Sequence, residues 1–144
     1  MRSQWQSFGI SDQFVQLDDT RSIGIYAIST DARGERSFQY WRAGSAASAL
    51  FTGRSVESLF NSLSSCDWFF FSGISLGIFD DASRNDLLTL ISKLRESGKT
   101  VIFDPNYRPA MFKSSEDATQ WLTLCYRSAD IVLPGLDEHH DLWG

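Results

Sequence analysis

Cysteine, histidine and long apolar runs are all scarce in this sequence, and each scarcity narrows what the protein can be. Among 144 residues there are two cysteines, Cys66 and Cys125. They are too few for a disulfide framework and lack the spacing of a metal site. Both fall in segments that read as helical or interior, so two buried, reduced thiols of a cytoplasmic protein are expected. His139 and His140 are the only histidines. Adjacent residues of a helix diverge by a quarter-turn or more, so the pair reads as surface histidines and not as a joint metal face. The longest apolar run, Trp68–Phe71, is far too short to span a membrane. The opening "MRSQWQSFGI" is polar, and no secretory signal is expected. Walker and G-x-G-x-x-G phosphate loops are missing, as is a G-x-S-x-G elbow around Ser72. There is no internal repeat or low-complexity tract.

Charge is scarce in one sign only. Thirteen Lys and Arg against eighteen Asp and Glu give a net charge of −5. That argues against a dedicated nucleic-acid or acidic-membrane surface. It leaves room for an anionic small molecule, because a few placed arginines override the global sign. With 42% hydrophobic and 22% charged residues, the chain can build an ordinary core. Its length suits one domain or a piece of a larger one.

The first third reads as β. "FVQL" and "SIGIYAIS" have strand composition, "DARGE" carries turn chemistry, and "RSFQYWR" alternates. A hairpin is expected: Ser22–Ser29, a loop over Thr30–Glu35, and Arg36–Arg42. In its second arm Phe38 and Tyr40 share one face and Gln39 and Trp41 the other. Aromatics on both faces suggest that this arm is covered on both sides in the full assembly.

From residue 51 the rhythm changes. Val56, Leu59, Phe60 and Leu63 are spaced for one face of a helix, as are Leu87, Leu88, Ile91 and Leu94 in the next. Gly98 is placed to end that second helix. Ala118, Trp121, Leu122 and Cys125 mark the buried side of a third. "DWFFFSG", "TVIFDP" and "DIVLPG" read as strands, the first covered on both faces. Residues 67–134 therefore read β-α-β-α-β, an α/β fold with a parallel sheet flanked by helices and right-handed crossovers. Residues 1–50 would form a β appendage and 51–144 the α/β body.

In such a sheet, ligands bind beyond the carboxyl ends of the strands. The tails "SGIS", "DPNYRP" and "PGLDE" should open onto one edge. In the second tail Asn106 offers an amide and Arg108 a planar fork for two oxygens of a phosphate or carboxylate, with Pro105 and Pro109 stiffening both sides. An alternative is that Asp104 caps a turn and Arg108 pairs with a surface acid. In the third tail, Asp137 and Glu138 either complement a helix dipole or, through Glu138, bind a hard cation such as Mg²⁺. Ser72 before Gly73 reads as a small-residue site of close approach.

Taken in order, "GIYAISTDARGERSFQYWRAGSAA", "DWFFFSGISLGIF", "VIFDPNYRPAMF" and "DIVLPGLDEHHDLWG" resemble the 2-keto-3-deoxygluconate kinases, within the ribokinase-like (PfkB-type) sugar kinases. "FDPNYRP" is the most specific piece. The resemblance implies transfer of the γ-phosphoryl of ATP to the 6-hydroxyl of 2-dehydro-3-deoxy-D-gluconate, with Mg²⁺. It implies that the hairpin is a lid over the sugar, often part of a dimer contact. It assigns Tyr26, Tyr40 and Arg42 to the sugar acid. Arg108 would serve both the substrate and the transferring phosphoryl, and Asn106 the nucleotide. Glu138 would be the acidic member of an N-x-x-E motif that organises the metal, although Gly135 stands where that motif has Asn. The resemblance also implies a central fragment of such an enzyme, without the G-A-G-D-type loop that carries the catalytic aspartate, and hence no useful catalysis alone. Two rivals stand beside it. One is a PfkB-type kinase of fructose, ribose or a nucleoside; the other is a non-catalytic remnant that binds or dimerises.

Overall fold

The structure is a computed structural model and describes residues 2–144. A short helix α1 (Arg2–Ser7) leads through irregular chain to a two-stranded antiparallel hairpin, β1 (Ile25–Thr30) and β2 (Arg36–Trp41). The hairpin register pairs Tyr26 with Tyr40 and Ile28 with Phe38. Its turn follows from Asp31, whose carboxylate accepts the N–H groups of Arg33 and Glu35, and from Gly34 at φ 86°, a conformation that glycine adopts without steric cost. A 3-10 turn at Ala46–Ala49 then leads to the body.

The body is a three-stranded parallel sheet of β3 (Trp68–Ser72), β4 (Thr100–Asp104) and β5 (Ile131–Val132), in spatial order β3-β4-β5. Helices α2 (Val56–Ser62), α3 (Gly73–Ile78), α4 (Asp81–Glu96) and α5 (Ser115–Ser128) alternate with the strands, and α6 (Leu136–Trp143) follows the last one. Ser55, Ser72, Asp80 and Ser114 each cap a following helix by accepting a backbone N–H, which satisfies groups that the helix itself cannot. Gly98, at φ 84°, ends α4 as expected. The core lies between the sheet and α4 and α5. Val101, Phe103, Ile91, Leu94, Leu122 and Cys125 are fully enclosed there, and Phe103 stacks on Phe71 at 4.7 Å.

Four expectations need correction. "FVQL" forms no strand: Phe14–Leu17 is irregular and largely exposed. A strand needs a hydrogen-bonded neighbour, and β1 pairs with β2 alone. β3 is covered on one face only, leaving Trp68 64% and Phe70 58% exposed, because the described helices pack on the Val101–Phe103 side. The tail "SGIS" is no loop: after Ser72, the end of β3, the chain enters the helix α3 at Gly73. Finally, Cys125 is buried but Cys66 is half-buried, because α2 stops at Ser62 before reaching it.

Candidate active site

The strand ends meet as an α/β sheet requires. β3 runs into α3, β4 into the 105–112 loop, and β5 into α6. Gly73 and Gly77 lie one turn apart on α3 and so share a face, and that face meets the loop. A Cβ added at Gly73 would overlap the Pro105 carbonyl. One at Gly77 would stand 2.7 Å from Met111 Cβ. Only glycine lets helix and loop come this close, which bears out a site of close approach at "SG". Ser72 itself caps α3, its Oγ accepting the Ile74 N–H at 3.2 Å.

The loop is bent at Asn106, whose φ of 36° makes it the one non-glycine residue with positive φ among those described. Asparagine tolerates that region better than most residues. The bend buries Tyr107 and turns Arg108 outward. A 3-10 turn at Pro109–Met111 follows.

Between this turn, the end of α3 and the foot of β2 lies a cleft of about 430 Å³, lined by Tyr40, Arg42, Gly77, Ile78, Arg108 and Met111 among others. Tyr40 and Arg42 at the end of the hairpin and Arg108 in a distant loop, all assigned to one ligand, thus face one space. The Arg42 guanidinium sits over the Tyr40 ring at 4.3 Å. Its only hydrogen-bond partner among the described residues is Met111 Sδ, at 3.9 Å. Tyr26 lies beside Tyr40, with ring centroids 6.3 Å apart, and is not among the lining residues. Asn106 shapes the loop without lining the cleft. Another hollow, of about 380 Å³, lies between Phe14–Leu17 and the Ala46–Ala49 turn. Arg21 there is already paired with Asp18, and no expected site residue lines it.

Glu138 reaches the cleft through Arg108. Arg108 Nη1 donates to Glu138 Oε1 at 3.2 Å and to the Tyr107 carbonyl at 2.8 Å. Arg108 therefore lines the cleft and also pairs with an acid, as the second of the two readings of it has it. Gly135 leaves room for this placing of Glu138. A Cβ there would stand 3.2 Å from Glu138 Cδ, so the carboxylate lies back over the first turn of α6 in space that a side chain would crowd. Burial, and then the Glu138 carboxylate, push the Tyr126 phenol above its ordinary pKa. As for a metal, the described residues hold no group of three or more His, Cys, Asp or Glu. Glu138 offers a single carboxylate, which fits Mg²⁺ only where phosphate oxygens supply most of the remaining ligands. His139 and His140 are exposed on α6, as expected.

One residue behind the cleft escaped sequence reasoning. Arg84 is 3% exposed. Its Nε donates to the Leu76 carbonyl at 2.9 Å, and its Nη1 lies 3.3 Å from carboxylate oxygens of Asp81 and Asp117. Burial raises the Asp117 pKa, but the Lys113 N–H and the Arg84 charge outweigh that and hold it below the usual carboxylate value. The sequence did carry a signal, since Arg84 stands three, seven and ten residues before Leu87, Ile91 and Leu94, on their helix face.

The profile of the pfkB family of carbohydrate kinases matches residues 1–144, the whole chain. The chain belongs to that family. It is 38% identical to the 2-dehydro-3-deoxygluconokinase of Dickeya dadantii over 144 residues, covering 100% of this chain and 46% of the relative. The crystal structure of the Thermotoga maritima 2-dehydro-3-deoxygluconokinase superposes with a TM-score of 0.80 at 24% identity, covering 98% of this chain and 42% of that one. The aminoimidazole riboside kinase of Salmonella enterica, solved with aminoimidazole riboside and an ATP analogue, gives a TM-score of 0.73 at 24% identity, covering 99% and 43%. The ribokinase-like α/β fold and the resemblance to 2-dehydro-3-deoxygluconokinases are thereby borne out. The pfkB chain described here spans about half the length of the curated relatives it matches.

Proposed function

We propose that this chain is the sugar-acid-binding part of an ATP-dependent kinase that phosphorylates the 6-hydroxyl of 2-dehydro-3-deoxy-D-gluconate. The observation that carries the reading is the pair of guanidinium groups, Arg42 and Arg108, facing one cleft beside Tyr40. A carboxylate-bearing sugar needs a cation with directional donors, and Arg42 has donors to spare. Arg108, oriented by Glu138 and the Tyr107 carbonyl, serves the far end of the sugar and the phosphoryl in transfer, where neutralising charge matters more than covalent help. Tyr40 covers the sugar from the hairpin with Tyr26 beside it, and Tyr26 meets the sugar acid where the hairpin closes over it, which excludes water. Asn106 contacts the nucleotide. When bound, Mg²⁺ would neutralise phosphate charge, with Glu138 as its protein carboxylate. The general base is not among these residues. In the whole enzyme, the exposed aromatic faces of the hairpin meet a second copy of the chain.

Calorimetric titration tests the sugar assignment. The chain should bind 2-dehydro-3-deoxygluconate and not fructose, and Arg42→Ala should weaken the acid by about 10- to 100-fold, the range for a charge-assisted hydrogen bond. Equal binding of both sugars, unaffected by Arg42→Ala, would instead favour a neutral-sugar pfkB kinase. With ATP and Mg²⁺ the chain alone should form no phosphorylated product; turnover would show that it holds its own base.

A further inference from the structure

Besides the foot of β2, the cleft has two walls, and one buried cation holds both of these. The first is the end of α3, Gly77 and Ile78, which directly follow the Leu76 carbonyl that accepts from Arg84 Nε at 2.9 Å. The second is Arg108–Met111, directly followed by Phe112. The guanidinium carbon of Arg84 lies 5.4 Å from the centre of the Phe112 ring and 5.3 Å from that of Trp121 on α5. Asp81 and Asp117 bind the same guanidinium from α4 and α5, and Asp117 also accepts the Lys113 N–H just beyond Phe112. A guanidinium can do this because it is planar. Its N–H fork serves a carbonyl and two carboxylates while its charge lies within cation–π range of two aromatic rings. Between the walls, Gly77 and Met111 approach so closely that a Cβ at Gly77 would stand 2.7 Å from Met111 Cβ.

We infer that Arg84 is a positioning residue, which sets the spacing of the two cleft walls and through them the placing of Arg108 against Arg42. This rests on the reading of the cleft as the sugar-acid site. The residue touches no ligand and acts through the Leu76 carbonyl and the Phe112 ring.

Two variants separate this role from a general contribution to stability. Arg84→Lys keeps the buried charge and loses the planar fork. Phe112→Leu leaves every ion pair of Arg84 in place and removes one of the two neighbouring rings; being half-buried, this site tolerates the change. Leu90→Ala, further along α4 and remote from the cleft, is the control that destabilises by cavity formation alone. Methyl NMR on the full chain should show the Met111 methyl against the Gly77 α-protons in the native protein and in Leu90→Ala. That contact should be lost or weakened in Arg84→Lys and Phe112→Leu. Titration with 2-dehydro-3-deoxygluconate well below each melting point should show about a tenfold or greater loss of affinity in the two cleft variants, since small misplacements at a site are costly. Leu90→Ala should bind within about twofold of native. An intact Met111–Gly77 contact with native affinity in both cleft variants overturns the inference, as does an equal loss in Leu90→Ala. If the native chain binds no sugar acid, the kinase reading falls, and the methyl contact still decides the role of Arg84.

Discussion

The hairpin and the parallel sheet are made of the same kinds of residue and meet opposite fates. Every residue of β1 and β2 is exposed, including Tyr26, Phe38, Tyr40 and Trp41. In β4, two strand positions apart, Val101 and Phe103 are completely enclosed. Side-chain type does not account for the difference, since Phe38 and Phe103 are the same residue. Phe103 has helices α4 and α5 over it, whereas Phe38 meets the Tyr40 ring and stays 45% exposed. The hairpin is held by its own ladder, its turn and the Tyr26–Tyr40 and Phe38–Tyr40 ring contacts, and is free to present those rings to a ligand or a partner. The sheet buries Phe71 and Phe103 and leaves Trp68 and Phe70 uncovered, whereas the hairpin leaves all of its aromatics exposed.

Substitutions should break this comparison in a definite order. Phe103→Ala has the largest expected effect, about 3–5 kcal/mol by urea denaturation, because it empties a packed site. Phe38→Ala on the hairpin should stay within about 0.5 kcal/mol. Similar losses at the two positions would mean that the hairpin is part of the core. Glycine sharpens the contrast. Gly73→Ala should cost about 1–3 kcal/mol or more from overpacking against the Pro105 carbonyl, whereas Gly34→Ala in the open hairpin turn should cost about 1–2 kcal/mol from its left-handed backbone alone.

Thiol reactivity and acidity probe the same divide more gently. Burial pushes the Cys125 thiol up to about 12 against a smaller opposing effect of Arg84. A thiol reagent at neutral pH should therefore modify Cys66 quickly and Cys125 only as fast as the chain unfolds. Two fast thiols would show that the α5 face of the core opens readily. Asp130 closes the edge of the sheet by accepting the Val101 N–H at 2.9 Å. That bond, together with Arg95, holds its pKa below the ordinary 3.8. Because the folded value is the lower one, the stabilisation is present above the unfolded pKa and fades as pH falls through the folded one. Asp130→Asn should flatten the acid limb of the stability curve below about pH 4, and an unchanged limb would remove Asp130 from the account. The smallest effect belongs to Gly135→Ala. Its backbone, at φ −72° and ψ 135°, suits alanine, so the fold should persist while Glu138 is pushed from Arg108. The pair is solvent-exposed and worth little by itself. The sensitive readout is the Arg108 guanidinium NMR signal, which should broaden or shift relative to native.

Much of the site was legible because its chemistry is local. "DPNYRP" announces a stiffened polar loop after a strand, and the position of that loop in a parallel sheet is a matter of topology. Arg42 and Tyr40 stand out as a cation beside a phenol. What was not legible depends on neighbours. The ring pair Tyr26–Tyr40 follows from the hairpin register, yet only Tyr40 turns out to face the cleft. Helix α3 was missed because two glycines lower its propensity, and those glycines are there for the loop they admit. Arg84 was passed over because a charge in an apolar stripe becomes intelligible only when its carbonyl, carboxylates and rings are seen around it.

By itself, the sequence determined the α/β alternation, the hairpin and its turn, the helix caps and ends, and the buried faces of α4 and α5. All of these depend on periodicity and on residues within a turn or two of each other. Tertiary structure decided which face of the sheet is covered, which glycines must stay glycines, that Arg42 and Arg108 line one cleft, and that Glu138 pairs with Arg108. These depend on close approach between segments tens of residues apart, where hard-core contact and charge pairing operate only once the chain has folded.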